Sequence, residues 1–329
     1  MNRFRARIYM DTVAEKQGKG KGTAMYQPEG YQIETEENQK ILRSVSLLRE
    51  AYYYGSVLEG RALLCDSAHN LHVDLGCMRG VIPRCEGAIG IDDGSVRDIA
   101  LISRVNKPVS FRITGFRTDN CGETYAMLSR KSVQLSCRQD YLSLLLPGDI
   151  IDACVTHLEC FGAFCDVGAG ISALLPIDCI SVSRIPHPSA RFTPGQRIKA
   201  VVKCLDAQGR LTLSHKELLG SWEQNIGELQ IGDTVPGVIR SVEPYGIFVE
   251  LKPNLAGLAE CSNGISPGAH ASVYIKNIIP ERMKIKLIIV DAFFAEYPLQ
   301  PLTYYIDSGH IDRWLYSPTT SEKSVESQF

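Results

Sequence analysis

Two aromatic pairs of identical spacing stand out in this sequence for the chemistry they could do. Phe161 and Phe164 enclose Gly162-Ala163 in ECFGAFCDVG (159–168), and Tyr245 and Phe248 enclose Gly246-Ile247 in EPYGIFVEL (243–251). Flat rings held on one exposed face stack on other flat rings. Unstacked nucleobases gain about 1–3 kcal/mol each in this way, largely without regard to base identity. Cations follow each pair: Lys203 and Arg210 after the first, Lys276 and Lys284 after the second. Side chains of that type neutralise phosphates. If the rings were buried in a core, the same residues would do packing and nothing else.

The stretches are rich in β-formers, so strands must position the rings. Residues three apart on a regular strand point to opposite faces. Bringing both rings of a pair to one face therefore calls for a bulge, and Gly162 and Gly246 are where it costs least.

The pairs recur because the chain repeats. PGDIIDACVTHLECFGAFCDVGAGISALLP (147–176) aligns without a gap on IGDTVPGVIRSVEPYGIFVELKPNLAGLAE (231–260). The remainder corresponds too: PGQRIKAVVKCLDAQGRLTLSHK (194–216) matches PGAHASVYIKNIIPERMKIKLII (267–289). Each unit reads as about five short strands with turns at the intervals of a small barrel. A weaker copy precedes them in LHVDLGCMRGVIPRCE (71–86) and KPVSFRITGFRTDNCGETYAMLSRKSV (107–133). In that copy His69 and His72 stand near the ring positions and Asn70 at the glycine, and Arg79 and Arg84 are its candidate phosphate contacts.

These elements, in this order, resemble the S1 domain, the RNA-binding OB-fold named after bacterial ribosomal protein S1. The family pattern reads GDIIDACV, FGAFC, ALLP, GQRIKAVVK and DAQGRLTLS in one unit, and GDTVPGVI, YGIFV, GLAE, GAHASVYIK and PERMKIKLI in the next. The resemblance covers 147–290 strongly and 55–134 weakly. The middle of the chain is also similar to the short S1-like ribosomal proteins of Gram-positive bacteria. It implies a mainly β chain of three tandem five-stranded OB-fold barrels, joined by short helices and preceded by an N-terminal helix. It further implies that Phe161, Phe164, Lys203, Arg210, Tyr245, Phe248, Lys276 and Lys284 bind RNA, with Arg210 and Lys284 on the last strand of their barrels. Two departures bear on this. Pro176 and Glu260 occupy the family's histidine position, and Glu260 brings negative charge to the third unit's face. The loop 177–194 offers Arg184 and Arg191 as further cations, whereas its counterpart 261–267 is shorter.

The bulk composition narrows the alternatives. The chain has 329 residues, a net charge of −2 and a pI near 6.4, so nucleic-acid binding must rest on local faces rather than on total charge. The 11 cysteines form no CxxC pair, so neither a metal site nor a disulfide framework is expected, and they read as free thiols of a reducing cytoplasm. No stretch of about 18 apolar residues is present, which excludes a membrane-spanning helix. There is no P-loop, GxSxG or HExxH, so no enzymatic activity, no cofactor and no small-molecule substrate are expected.

The expected organisation is a disordered leader (1–35), a helix (36–54), a degenerate first barrel (55–134) and a helical linker (135–146). The second barrel (147–216), a linker (217–230) and the third barrel (231–290) follow, then a C-terminal hairpin (291–318) and a disordered tail (319–329). The helix rests on Ile41, Leu42, Val45, Leu48 and Tyr52 at helical spacing, ending at Gly55. The hairpin is read around Asp307-Ser308-Gly309. Met25 follows Lys19–Gly22, whose codons can spell a purine-rich ribosome-binding tract, so Met25 rather than Met1 is the expected start. The expected function is non-enzymatic binding of single-stranded RNA or mRNA on the small ribosomal subunit in the cytoplasm. The alternative is an adaptor whose barrels dock on ribosomal, RNA-decay or transcription proteins.

Overall fold

A computed structural model of the chain describes residues 26–329 except 207, 228, 263, 298 and 300. The expected leader as far as Ala24 and the alternative start at Met25 lie outside the described residues. The described residues divide into two compact units. The first ends at Leu144 and includes Gly168–Ile171; the second holds Leu145–Val167 and Ser172–Phe329.

The first unit opens with helices α1 (Glu36–Leu42) and α2 (Val45–Tyr54). The sequence suggested one continuous helix here. The chain breaks it at Ser44, whose extended backbone lets its hydroxyl accept the Leu47 N–H and cap a new helix. Leu42, Leu48 and Ala51 join the barrel core, and Gly55 ends α2 in the left-handed region at φ 64°. The barrel itself is β1 (Leu58–Cys65), β2 (Leu71–Asp74), β3 (Arg79–Ile82), β4 (Pro108–Thr118) and β5 (Thr124–Ser129), with a short helix α3 (Ile99–Ile102) between β3 and β4. Helix α4 (Lys131–Asp140) follows.

Residues 26–35 are not a disordered segment. Glu29 is buried and bonded to Arg130 at 2.6 and 3.0 Å and to Arg104 at 3.3 Å. Glu59 accepts the backbone N–H groups of Gly30, Gln32 and Ile33. A buried carboxylate survives only when matched in this way, and its partners lie too far along the chain to be recognised from local sequence.

The second unit contains two barrels. One is β6 (Ile150–Glu159), β7 (Gly162–Asp166), β8 (Ser172–Pro176), β9 (Arg197–Leu205) and β10 (Leu211–Ser214). Helix α5 (Trp222–Ile226), held by a Ser221/Gln224 capping box, links it to the other. That one is β11 (Thr234–Glu243), β12 (Gly246–Lys252), β13 (Leu255–Ala259), β14 (His270–Ile279) and β15 (Lys284–Phe293). All three barrels close in the same order, with the third strand parallel to the fifth. The chain is thus mainly β, with three closed five-stranded barrels of OB topology, as the resemblance implied. Alternate residues fill each interior, for example Ile151, Ala153 and Val155 on β6.

The C-terminal segment departs from expectation. β15 runs on to Phe293, and no hairpin forms about Asp307-Ser308-Gly309. Instead, residues 309–311 bond along the start of β6: the Ile150 N–H donates to the Gly309 carbonyl, and the Ile311 N–H to that of Gly148. The presumed tail carries a strand, β17 (Glu326–Gln328), paired with β16 (Arg313–Leu315). Trp314 and Tyr316 are buried in the third barrel's core cluster, so apolar burial rather than turn chemistry decides this segment's path. Among the described residues no helix is long and apolar enough to cross a membrane.

Candidate nucleic-acid interface

Phe161 lies in the two-residue turn between β6 and β7, and Phe164 stands third on β7. Ala163 and Cys165 fill the barrel interior, so Phe164 points outward. The two rings meet edge to face, with centroids 6.0 Å apart at 88°. Phe161 keeps 51% of its surface exposed. Tyr245 and Phe248 repeat this on β12, at 6.2 Å and 86°, with Tyr245 69% exposed.

The expected bulge between the rings is absent. Gly162 pairs in register with Glu159 and Pro176, and the register shift falls on the neighbouring strand β6, between Val155 and His157. The third barrel has the matching shift on β11, between Ile239 and Ser241. It is the turn that brings Phe161 and Tyr245 to the same side as their partners. The glycines serve a different need: a Cβ at Gly162 would sit 2.4 Å from the Leu175 carbonyl oxygen, and one at Gly246 2.7 Å from that of Ala259.

Each ring begins a cross-strand row. Phe164 lies beside Leu174 and then Thr212; Phe248 lies beside Leu258 and then Lys286. Lys286 is exposed and makes no ion pair among the described residues. It was passed over in the sequence, although its position two residues beyond Lys284 on an alternating strand marks it as outward-facing.

The other cations differ in availability. Lys203 donates from Nζ to Cys179 Sγ at 3.2 Å, which holds the lysine's pKa above its usual value. Arg210 precedes β10 rather than lying on it. It is bonded to Asp206 at 2.7 Å, and Asp206 is held below the usual carboxylate range by the Arg210 backbone N–H and guanidinium. Lys276 is drawn to Glu260 at 3.0 Å. Lys284 opens β15, exposed and with no ion pair among the described residues. Of the two loop arginines, Arg184 is exposed, whereas Arg191 is buried against Glu250 of β12 and is not available to a phosphate.

The first barrel has no phenylalanine or tyrosine pair at the positions that match Phe161 and Phe164; its edge-to-face pair, Tyr52 and Phe116, lies between helix α2 and β4. Its corresponding row is His72, Val81 and Met127. His72 is bonded to Asp66 at 3.1 Å, and the N–H donors of Asn70 together with His72 bring the Asp66 carboxyl down to about 2. His69 faces Asp98 at 3.8 Å; Arg84 is bonded to Asp98 and Arg79 to Asp119. These four side chains are thus each drawn to a carboxylate of their own barrel.

Residues 146–216, the second barrel, match the S1 RNA binding domain family. The chain is 32% identical over 166 residues to a small ribosomal subunit protein bS1 homolog of Bacillus cereus, covering 49% of this chain and 42% of that one. It is 27% identical over 275 residues to the small ribosomal subunit protein bS1 of Staphylococcus aureus, covering 78% and 66% respectively. A third match is 32% identical over 165 residues to a 4-hydroxy-3-methylbut-2-enyl diphosphate reductase of Fusobacterium nucleatum; it covers half of this chain (50%) but 20% of that enzyme. The chain therefore spans less than two thirds of the length of each of these relatives.

Proposed function

We propose that this chain, whose second barrel is an S1 RNA-binding domain, is a non-enzymatic binder of single-stranded RNA that holds unstructured mRNA on the small ribosomal subunit in the cytoplasm. One observation carries the reading: in both barrels of the second unit an exposed ring stands edge to face with a second ring, and in the third barrel the row from Phe248 runs across Leu258 to the exposed Lys286. Exposed aromatics in this setting stack on bases of any identity, and the cations hold the backbone. The names of the bS1 relatives support the ribosomal setting. The likeness to a reductase rests on a fifth of that enzyme's length, which supports a shared accessory region rather than shared catalysis.

A second reading applies to the first barrel. Its row has His72 where the other barrels have a phenylalanine, and Leu63 and Leu64 on β1 are exposed. Exposed leucines beside internally paired charges favour a protein-docking role for this barrel.

The test is fluorescence anisotropy of the full chain with a short unstructured RNA, comparing wild type with Phe161→Ala/Phe164→Ala. Loss of affinity by tenfold or more is expected, from roughly 1–3 kcal/mol per stacked base. Binding indifferent to the two rings would sink the stacking reading and leave the adaptor. Cosedimentation of the wild type with small subunits tests the ribosomal setting.

A further inference from the structure

The loop between β8 and β9 starts at one ring pair and ends beside the other. At its start the Ile177 N–H donates to the Phe161 carbonyl at 2.9 Å, and Cys179 accepts from Lys203. In its middle the Val182 N–H donates to Asn254 Oδ1 at 2.9 Å and the Ser183 N–H to the Pro253 carbonyl at 3.2 Å, both in the β12–β13 turn. At its end Arg191 is buried against Glu250, which Arg240 also grips at 2.9 and 3.0 Å. Glu250 lies two residues after Phe248 on β12, so both side chains leave the strand on one face. The Asn254 amide is fully used, donating to the Lys216 and Gly220 carbonyls as well. Removing one partner of a buried ion pair strands the other, so this loop is a fixed bridge rather than a hinge.

Arg184 projects from that bridge. Its neighbours Ser183 and Ile185 are buried while Arg184 is exposed, with no ion pair among the described residues. We propose that the bridge joins the two ring pairs into one path for a single RNA strand, with Arg184 as the phosphate contact between them; this rests on the reading that both faces bind RNA. A path fixed in advance spares the ordering cost that two independently tumbling sites would meet. A strand that reaches both ring pairs then gains affinity over one that reaches a single pair.

The experiment measures binding of the full chain to two oligouridines, one long enough for a single ring pair and one that spans both. The wild type should bind the long RNA at least about tenfold tighter than the short one, a gain removed by Tyr245→Ala/Phe248→Ala. Arg184→Gln, a substitution at an exposed position, should weaken the long RNA by about threefold to tenfold and flatten its salt slope by about 0.7, leaving the short RNA unchanged. If Arg184→Gln leaves the length gain intact, or weakens both RNAs alike, the single path is overturned while the RNA reading stands. If neither RNA binds, or binding ignores the rings, the RNA reading itself fails and the path with it.

Discussion

Glu260 decides how much of the third barrel's charge is left for phosphate. Its carboxylate holds Lys276 at 3.0 Å while both side chains remain largely exposed. An exposed pair of this kind contributes little to stability, so its main effect is to divert a cation. Glu260→Gln should leave the melting temperature unchanged, tighten RNA binding by about threefold and steepen the salt slope by about 0.7, the increment of one added phosphate contact on a single strand. A titration at two salt concentrations reads both quantities, and an unchanged slope would show that Lys276 does not reach the backbone. Gly162 makes the opposite case, with structure at stake before binding. A methyl group there would press on the Leu175 carbonyl at 2.4 Å, and backbone cannot yield as a side-chain tip can. Gly162→Ala should therefore lower the thermal midpoint and weaken RNA binding together, whereas Phe161→Ala should weaken binding alone.

Among the elements, β10 and the C-terminal segment are joined by a buried histidine. His215 follows β10, with Nδ1 at 3.0 Å from the Ile180 carbonyl and Nε2 at 3.2 Å from the Tyr304 hydroxyl. The Tyr304 oxygen in turn accepts the Lys199 N–H at 3.1 Å. The donors fall into place when His215 is neutral, carries its proton on Nδ1 and accepts from Tyr304. Burial pushes its pKa down to about 4 from the usual 6.5. Above pH 6.5 the ring is neutral in both folded and unfolded chains. As pH falls from 6.5 towards 4 the unfolded chain takes up a proton that the folded one refuses. Stability should therefore drop by about 3 kcal/mol across that window and level off below it. Urea denaturation at a series of pH values checks this, and His215→Gln should remove that part of the slope. The strand count of each unit was legible because the repeat supplied two copies of one pattern, and the resemblance supplied the barrel, while the spacing of the rings left open whether they face out. The bulge was misplaced because spacing alone does not separate a ring lifted by a turn from one lifted by an extra residue. Arg191 read as a free cation because its partner, Glu250, lies on another barrel. The segment 291–318 read as a hairpin around Asp307-Ser308-Gly309, but residues 309–311 bond to the start of β6 and Trp314 and Tyr316 join the third barrel's core.

At the scale of the whole molecule, both tryptophans report on the second unit. The sequence has two, Trp222 and Trp314, and both are buried in the third barrel's core cluster. Trp314 belongs to the C-terminal segment, with Ile311 and Tyr316 buried in the same cluster. The Tyr316 hydroxyl also donates to the Asn254 carbonyl at 2.5 Å, on the residue whose amide holds the loop from the second barrel. The segment is therefore part of the third barrel's core and supports the turn that fixes the β8–β9 loop. Ending the chain at Asp307 removes all three apolar side chains. Losing one large buried aromatic costs about 3–5 kcal/mol, partly offset because the deleted residues no longer need to be ordered. The truncated chain should lose roughly 3 kcal/mol or more in the unfolding transition followed by Trp222 emission, which should shift to longer wavelength even before denaturant is added. Tyr53→Ala, in the first unit with its ring 77% exposed, should leave that transition where it is. If the truncated chain keeps the wild-type midpoint and emission, the segment merely lies against the barrel, and the third barrel closes its core without it.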